Sequence, residues 1–209
     1  MKRKYIPLIS TLCCLVGLNC ANNKFYSENF YGEYRREEQI ENAQLEKAFE
    51  SMSDSSFEAK HGNVIETESL LIEEVLEKLK SCVYQSGIVT FKGFLNSENP
   101  NAYMRKNGNL YFTLGAQNFL CSEEDIASVV SHEISHFNNP RIYELGEKTI
   151  NGRFAEEINA DSEAVYCLIE SGYDPISLID VIEKFRDYQM EGLADARIEN
   201  IRKILDDIK

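Results

Sequence analysis

Histidine is scarce in this sequence, because only three of its 209 residues are histidines. Basic residues are also in deficit, with 22 Lys and Arg against 35 Asp and Glu, and the formal net charge is −13. Phosphate recognition needs a basic surface, so this balance argues against DNA, RNA or anionic lipid as a ligand. After the first twenty residues, no stretch is apolar enough to be a transmembrane helix. The hydrophobic fraction of 43% is sufficient for a core, and we expect one folded domain.

Two of the three histidines lie four residues apart, in the stretch His132-Glu133-Ile134-Ser135-His136. Apolar residues recur at helical spacing here, and Ser122 followed by Asp125 has the form of a capping box, so we predict a helix over residues 125–138. Residues four apart lie on one helical face, so both imidazoles can bind one Zn²⁺. Glu133 then lies beside the metal as a general base for a water whose pKa zinc lowers toward about 7.

A zinc site of this kind needs a third protein ligand, and the remaining histidine, His61, lies in a polar stretch that we interpret as a linker. A carboxylate is therefore expected. On the next long helix, Glu157 shares a face with Asp161 and with small alanines that allow close helix packing. We predict that Glu157 is the third ligand and that Asp161 accepts a hydrogen bond from a ligand histidine. The alternative is that Glu156 and Glu157 are ordinary acids near a helix N-terminus.

The periodicity of the chain predicts a mostly helical α+β domain with a small sheet before the motif helix. Asn107-Gly108 between two β-rich runs indicates a hairpin. Such a sheet can hold an extended peptide along an exposed edge strand, or it can simply cover the domain. We expect a linker over 53–63, helices over 64–80, 153–171, 176–190 and 195–208, a strand over 83–95, and the hairpin over 101–113.

The first twenty residues have the form of an export signal, with a basic start and an apolar run over residues 6–18. Cys20 stands where lipid is attached in exported lipoproteins, and simple cleavage after Ala21 is the alternative. We favour lipidation, and thus a periplasmic protein anchored to a membrane by lipid alone. The predicted organisation is a signal over 1–20, a polar and helical arm with a linker over 21–63, and a zinc metallopeptidase domain over 64–209.

Cysteine usage leaves room for at most one internal disulfide in the mature chain. Three of the six cysteines lie within the first twenty residues. The other three are Cys82, Cys121 and Cys167. We expect Cys82 to pair with Cys121, because both flank the strand region, and Cys167 to be a buried free thiol within a helix.

Several segments between residues 83 and 201 carry a family resemblance. They are Pro100-Asn101-Ala102-Tyr103, Gly108-Asn109-Leu110-Tyr111-Phe112-Thr113, the motif helix, Glu157-Ile158-Asn159-Ala160-Asp161 and Ser171-Gly172-Tyr173-Asp174-Pro175. The combination resembles the zinc metallopeptidase family that includes the heat-shock protease HtpX and the CAAX prenyl endopeptidase, and within it the soluble periplasmic branch of BepA and LoiP. In two respects the chain departs from that pattern: the stretch between His136 and Glu157 is short, and the family's His-Pro before Arg197-Ile198 is replaced by Glu191-Gly192.

The resemblance implies a gluzincin-type fold with one Zn²⁺ per chain, held by His132, His136 and Glu157, and with Glu133 as general base. It also implies endopeptidase activity on proteins, and we expect the substrate to be unfolded or extended. The main alternative is a metal-bound assembly or chaperone-like factor in which proteolysis is weak or lost.

Overall fold

The computed structural model describes residues 53–84, 87–139 and 150–208, all of them within one compact unit, Lys47–Lys209. This part of the chain is α+β and mostly helical, as predicted. The predicted signal segment, Cys20 and most of the predicted arm lie outside the described residues, and the predicted domain limits stay a prediction. The described helices are α1 Asp54–His61, α2 Leu70–Lys78, α3 Leu114–Gln117, α4 Glu123–Asn138, α5 Ile150–Glu170, α6 Ile176–Lys184 and α7 Leu193–Ile208, and the strands are β1 Val64–Glu66, β2 Thr90–Leu95, β3 Ala102–Met104 and β4 Asn109–Thr113.

The four strands form one sheet in the order β1-β2-β4-β3, which leaves β3 at an edge. β2 and β4 are parallel, while β1 and β3 pair with their neighbours in antiparallel fashion. The predicted hairpin is confirmed as β3–β4. Gly108 closes its turn with a φ of 82°, and a Cβ there would meet the carbonyl oxygen of Ile88 at 2.3 Å. Only glycine fits that turn.

Side chains pack on both faces of the sheet. One face contributes to the main core together with α2, α4, α5, α6 and α7, and Met104 of the edge strand packs against that core. On the other face, Phe57 of α1 forms a smaller core with Leu95 and Tyr111. The rings of Phe57 and Tyr103 meet edge to face, with centroids 5.4 Å apart. Helix α1 therefore supports the outer face of the hairpin.

A polar group of residues also ties α1 to the hairpin. Asp54 accepts hydrogen bonds from Arg105 at 2.5 Å, from the amide of Asn109 at 2.7 Å and from the amide of Asn107 at 3.2 Å. We call these four residues the hairpin cluster. In it, each carboxylate oxygen of Asp54 is matched by a donor.

Helices α4 and α5 position the predicted site. The capping box at the start of α4 is confirmed: Ser122 Oγ accepts from the N–H of Asp125, and the Asp125 carboxylate accepts from the N–H of Ser122. Lys184 of α6 donates to both oxygens of Asp125, at 2.6 and 2.7 Å. In α5, Ala160 and Ala164 are buried, which allows the close helix approach that the sequence predicted. None of the described helices is long and apolar enough to cross a membrane.

Three expectations about local structure were wrong. The stretch interpreted as a linker contains α1, whose Phe57 is fully buried. The helix predicted over 64–80 begins only at Leu70, capped by Ser69, because residues 64–66 pair with β2. Among the described residues of the strand predicted over 83–95, only Thr90–Leu95 form a strand. In each case tertiary packing overrode local composition.

The predicted Cys82–Cys121 disulfide was also wrong, since Cys82 bonds to Cys167 and Cys121 is an exposed free thiol. Cys82 lies in the 3-10 turn after α2, and Cys167 lies on α5. Their Cα atoms are 5.7 Å apart, a normal separation for a disulfide. Cys167 is buried, as predicted, but it is not a free thiol. The bond joins residues 85 positions apart and fixes the helix that carries Glu157.

Candidate metal centre

The two motif histidines meet a carboxylate from the neighbouring helix. The Nε2 atoms of His132 and His136 on α4 lie 3.0 Å apart. From α5, Glu157 places one oxygen 3.3 Å from His132 Nε2 and the other 3.7 Å from His136 Nε2. One ligand atom from each residue lies within 4.8 Å of the others. The structure thus brings together the three residues predicted as zinc ligands.

The spacing of these atoms can be compared with that around a zinc ion. Zinc bonds of about 2.1 Å at tetrahedral angles place two ligand atoms about 3.4 Å apart. The two histidine nitrogens are 3.0 Å apart, and their distances to the two oxygens of Glu157 are 3.3 and 3.7 Å, so these separations lie on both sides of that value. Two imidazoles and one carboxylate are also the donor set of catalytic zinc sites, which keep a fourth position for water or substrate. The residues present therefore fit a zinc ion.

Asp161 lies where the sequence predicted it, one turn along α5 from Glu157. Its Oδ1 is 2.8 Å from Nδ1 of His132, and its side chain is fully buried. A hydrogen bond from Nδ1–H to this carboxylate selects the tautomer in which the Nε2 lone pair of His132 points toward the ligand group. Asp161 thereby orients one of the two histidines that were predicted as ligands.

The charges in this group show why it suits a cation. Burial and the Arg197 charge oppose protonation of His132, yet hydrogen bonds to Asp161 and Glu157 raise its pKa to about 9. Burial and the charge on His132 lower the pKa of His136 to about 3. Burial raises the pKa of Glu157, but His132 and Arg197 hold it well below its usual range. Two nitrogens 3.0 Å apart cannot both carry protons, so the group accommodates one positive charge between them.

Arg197 of α7 is a site residue that the sequence reasoning missed. Its guanidinium is buried and donates to both oxygens of Asp161, each at 2.7 Å. It also lies 3.4 Å from the Glu157 carboxylate. The Arg197-Ile198 pair was noted only as part of the family pattern, and that pattern was the only signal for it. A buried arginine between two site carboxylates keeps both ionised.

Glu133 faces the edge strand of the sheet. Its Oε2 accepts a hydrogen bond from the main-chain N–H of Met104, at 3.1 Å. Burial raises the pKa of Glu133 to about 7; the charge on His132 opposes this rise, and the Glu157 carboxylate adds to it. A carboxylate with a pKa near neutrality can both accept and return a proton at ordinary pH. Glu133 is not among the residues that converge as candidate ligands, and its role as base stays a prediction.

The other candidates take different positions. Glu163 of α5 accepts two hydrogen bonds from Asn139 at the end of α4, at 2.7 and 2.8 Å. It therefore joins α5 to the motif helix. His61 stacks on Phe57 with ring centroids 4.7 Å apart and is not one of the converging ligands.

This arrangement is typical of a zinc-dependent peptidase. It consists of a short sheet beside a helix with two histidines four residues apart, and of a carboxylate from a second helix. Residues 68–145 match the model of Peptidase family M48. The match includes the whole of α4, and it supports a metallopeptidase of that family. It ends before Glu157, Asp161 and Arg197, so the match does not bear on their assignment. A comparison with curated proteins found no match.

Proposed function

We propose that this protein is an exported zinc-dependent endopeptidase, with His132, His136 and Glu157 as the zinc ligands and Glu133 as the general base. The observation that carries the proposal is the convergence of the three ligand atoms within 4.8 Å, with Glu133 beside them on the same helix. The match of residues 68–145 to Peptidase family M48 supports it independently.

Each step of the chemistry assigns a task to a residue of this chain. A zinc ion held by His132, His136 and Glu157 would polarise the scissile carbonyl and would make water acidic enough to deprotonate. Glu133 accepts the proton as the water oxygen bonds to the carbonyl carbon, and it returns that proton to the amine as the C–N bond breaks. Asp161 holds His132 in its binding tautomer, and Arg197 holds Asp161. The positive charge of Arg197 also balances the carboxylates of the site.

The edge strand β3 supports an extended polypeptide as the substrate. It is the last strand in the sheet order, and it lies against the motif helix at Met104. The N–H groups on its open side already donate, that of Ala102 to Asn101 and that of Met104 to Glu133, so its open carbonyl groups are the ones that can accept hydrogen bonds from an extended substrate segment. Unfolded or extended protein segments can pair in this way, whereas residues already in secondary structure cannot.

Export and lipid attachment at Cys20 remain part of the proposal. The basic start and short apolar run of residues 1–20 support export. The buried Cys82–Cys167 disulfide supports an oxidising compartment, because such bonds are rare in the cytosol. Cys20→Ala should release the protein from membranes into the soluble extracytoplasmic fraction. Retention of that variant in the membrane fraction would refute the lipid anchor.

Cleavage of unfolded casein by the purified protein tests the peptidase activity. We expect hydrolysis that stops in the presence of a chelator and resumes when zinc is restored. Glu133→Gln should retain zinc and lose about 10²- to 10⁴-fold in rate, which is the range of general acid–base catalysis. A zinc-loaded wild-type protein that binds casein without cleaving it would instead favour an assembly or chaperone-like factor.

A further inference from the structure

The edge strand and the candidate base are joined by a single hydrogen bond. The main-chain N–H of Met104 donates to Oε2 of Glu133, and the two atoms are 3.1 Å apart. The two residues are 29 positions apart in the chain, so the fold creates this contact rather than local sequence. The described part of the chain provides no hydrogen-bond donor to the other oxygen, Oε1.

The direction of this N–H follows from the pairing of β3 with β4. Arg105 donates its N–H to Asn109 of β4, and the carbonyl of Asn101 accepts from Thr113 of β4. Main-chain groups of consecutive residues in a strand point to opposite sides, so Met104 directs its N–H away from β4. Because β3 is the edge strand, that donor has no partner within the sheet. Glu133 takes the place of a neighbouring strand.

The strand that carries this donor is held from both sides. The side chain of Met104 packs against the main core, while Tyr103 packs against Phe57 of α1 on the opposite face. Arg105, the next residue, is bonded to Asp54. A main-chain donor on such a strand loses no side-chain rotamer freedom when it binds. Its position relative to Glu133 is therefore fixed before substrate arrives.

We propose that the main-chain N–H of Met104 positions Glu133 for proton transfer. The bond occupies Oε2, so Oε1 accepts the proton of the attacking water and later gives it to the leaving amine. Met104 is a positioning residue that acts through its backbone, and any residue except proline can supply the N–H. This inference rests on the proposed peptidase function and adds that one strand both receives the substrate and orients the base.

Two variants at residue 104 isolate the N–H. Met104→Pro removes it, and because the N–H faces away from β4, no hydrogen bond of the sheet is lost. Met104→Ala is the matched control, since it loses the methionine side chain but keeps the N–H. Should Met104→Pro fail to fold, the α-hydroxy acid analogue of methionine at position 104 replaces it, because that analogue removes the N–H and keeps the side chain.

The first readout is steady-state cleavage of a peptide by the zinc-loaded variants. We expect equal zinc content in the Pro and Ala variants, a kcat about 10- to 100-fold lower with Pro, and KM values within about threefold, because the base loses its orientation while substrate binding is kept. Equal kcat values in Met104→Pro and Met104→Ala would overturn the proposal. A change confined to KM would assign the N–H to substrate binding and would also overturn it.

The second readout does not depend on catalysis. In the metal-free protein, we expect Met104→Pro to unfold at a lower temperature than Met104→Ala, partly because the bond to Glu133 is lost. When both variants also carry Glu133→Ala, the difference between their unfolding temperatures should become smaller by about 2 to 4 °C. An unchanged difference would show that Met104 and Glu133 are not coupled and would overturn the proposal. This result holds even for a protein that cleaves nothing, so it separates the inference from the proposed function.

Discussion

Two polar clusters in this molecule each contain a carboxylate, but their donors and acceptors are paired in opposite ways. In the hairpin cluster, Asp54 is surrounded by the donors of Arg105, Asn107 and Asn109, so each acceptor is matched from within the protein. In the metal centre, ring nitrogens and carboxylate oxygens face one another at 3.0 to 3.7 Å. Acceptors that face one another need a proton or a cation between them.

Burial makes this difference matter. The Asp54 side chain is 37% exposed, so water can complete its solvation, whereas the side chains of His132 and His136 are only 11% and 12% exposed. The acceptors of the hairpin cluster thus all have donors within the folded protein, and the cluster serves to attach α1 to the hairpin. The metal centre is complete only with an added positive charge. The presence of carboxylates and amides is therefore not enough to reveal a binding site. A binding site is indicated where buried acceptors face one another and the protein supplies no matching donors.

The largest expected effect is the loss of a ligand from the metal centre. Glu157→Gln should weaken zinc binding by orders of magnitude, because it removes both a ligand and a negative charge. The matched control is Glu156→Gln, one residue earlier on α5, which should bind zinc much as wild type does. Competition with a chelator of known affinity measures both. Loss of zinc in Glu156→Gln alone would mean that the ligand assignment is shifted by one residue.

Asp161→Asn should have the next largest effect. We expect zinc affinity to fall about 10- to 100-fold, because His132 loses the carboxylate that fixes its tautomer. We also expect a loss of about 3 kcal/mol in the free energy of unfolding, because Arg197 becomes a buried charge without its main partner.

The double variant Asp161→Asn with Arg197→Met separates these two effects. It removes the unpaired charge, so stability should recover in part while zinc binding stays weak. Recovery of zinc affinity together with stability would argue against the tautomer role of Asp161. Zinc titration and urea unfolding of the same preparations measure both quantities.

Asp125 is a buried acid that is paired like the hairpin cluster. Burial raises its pKa, but hydrogen bonds from Lys184 and from the N–H of Cys121 outweigh that and hold the pKa below its usual value. The contribution of Asp125 to the free energy of unfolding is therefore present above about pH 4, and it is lost as the pH falls through the pKa that Asp125 has in the folded protein. Asp125→Asn should lower the free energy of unfolding by about 1 to 2 kcal/mol at pH 7 and by less at pH 3, as measured by urea unfolding. For comparison, Ser122→Ala should cost about 1 kcal/mol at both pH values.

The smallest effect is expected in the hairpin cluster. Asp54→Asn should lower the free energy of unfolding by about 1 kcal/mol, a value discounted for the exposure of this carboxylate to solvent. Zinc affinity should stay within about twofold of wild type, because the cluster shares no residue with the metal centre. Asp180→Asn, an exposed acid on α6, is the control and should change neither quantity. A large loss of zinc binding in Asp54→Asn would erase the distinction between the clusters.

Features set by short-range spacing could be predicted from the sequence. His132 and His136 share a face because four residues make about one helical turn, and Asn107-Gly108 specifies its own turn. Glu157 was found by the same face argument on α5. These features depend only on residues close together in the chain.

Long-range features could not be predicted in this way. Cys82 and Cys167 lie 85 residues apart, and only the packing of α5 against the turn after α2 brings them together. The bond between Met104 and Glu133 uses a backbone donor, which every residue except proline provides, so no sequence pattern marks it. Arg197 reaches the site from the last helix, and its role depends on burial that composition does not show.

Zinc content tests the central claim most directly. Elemental analysis of the purified protein, after metal repletion and removal of excess metal, should give one zinc per chain, and the His132→Ala, His136→Ala double variant should give none. One equivalent agrees with a metal centre that needs a cation and a hairpin cluster that does not. Well under one equivalent in the wild-type protein, or an unchanged content in the double variant, would contradict this account.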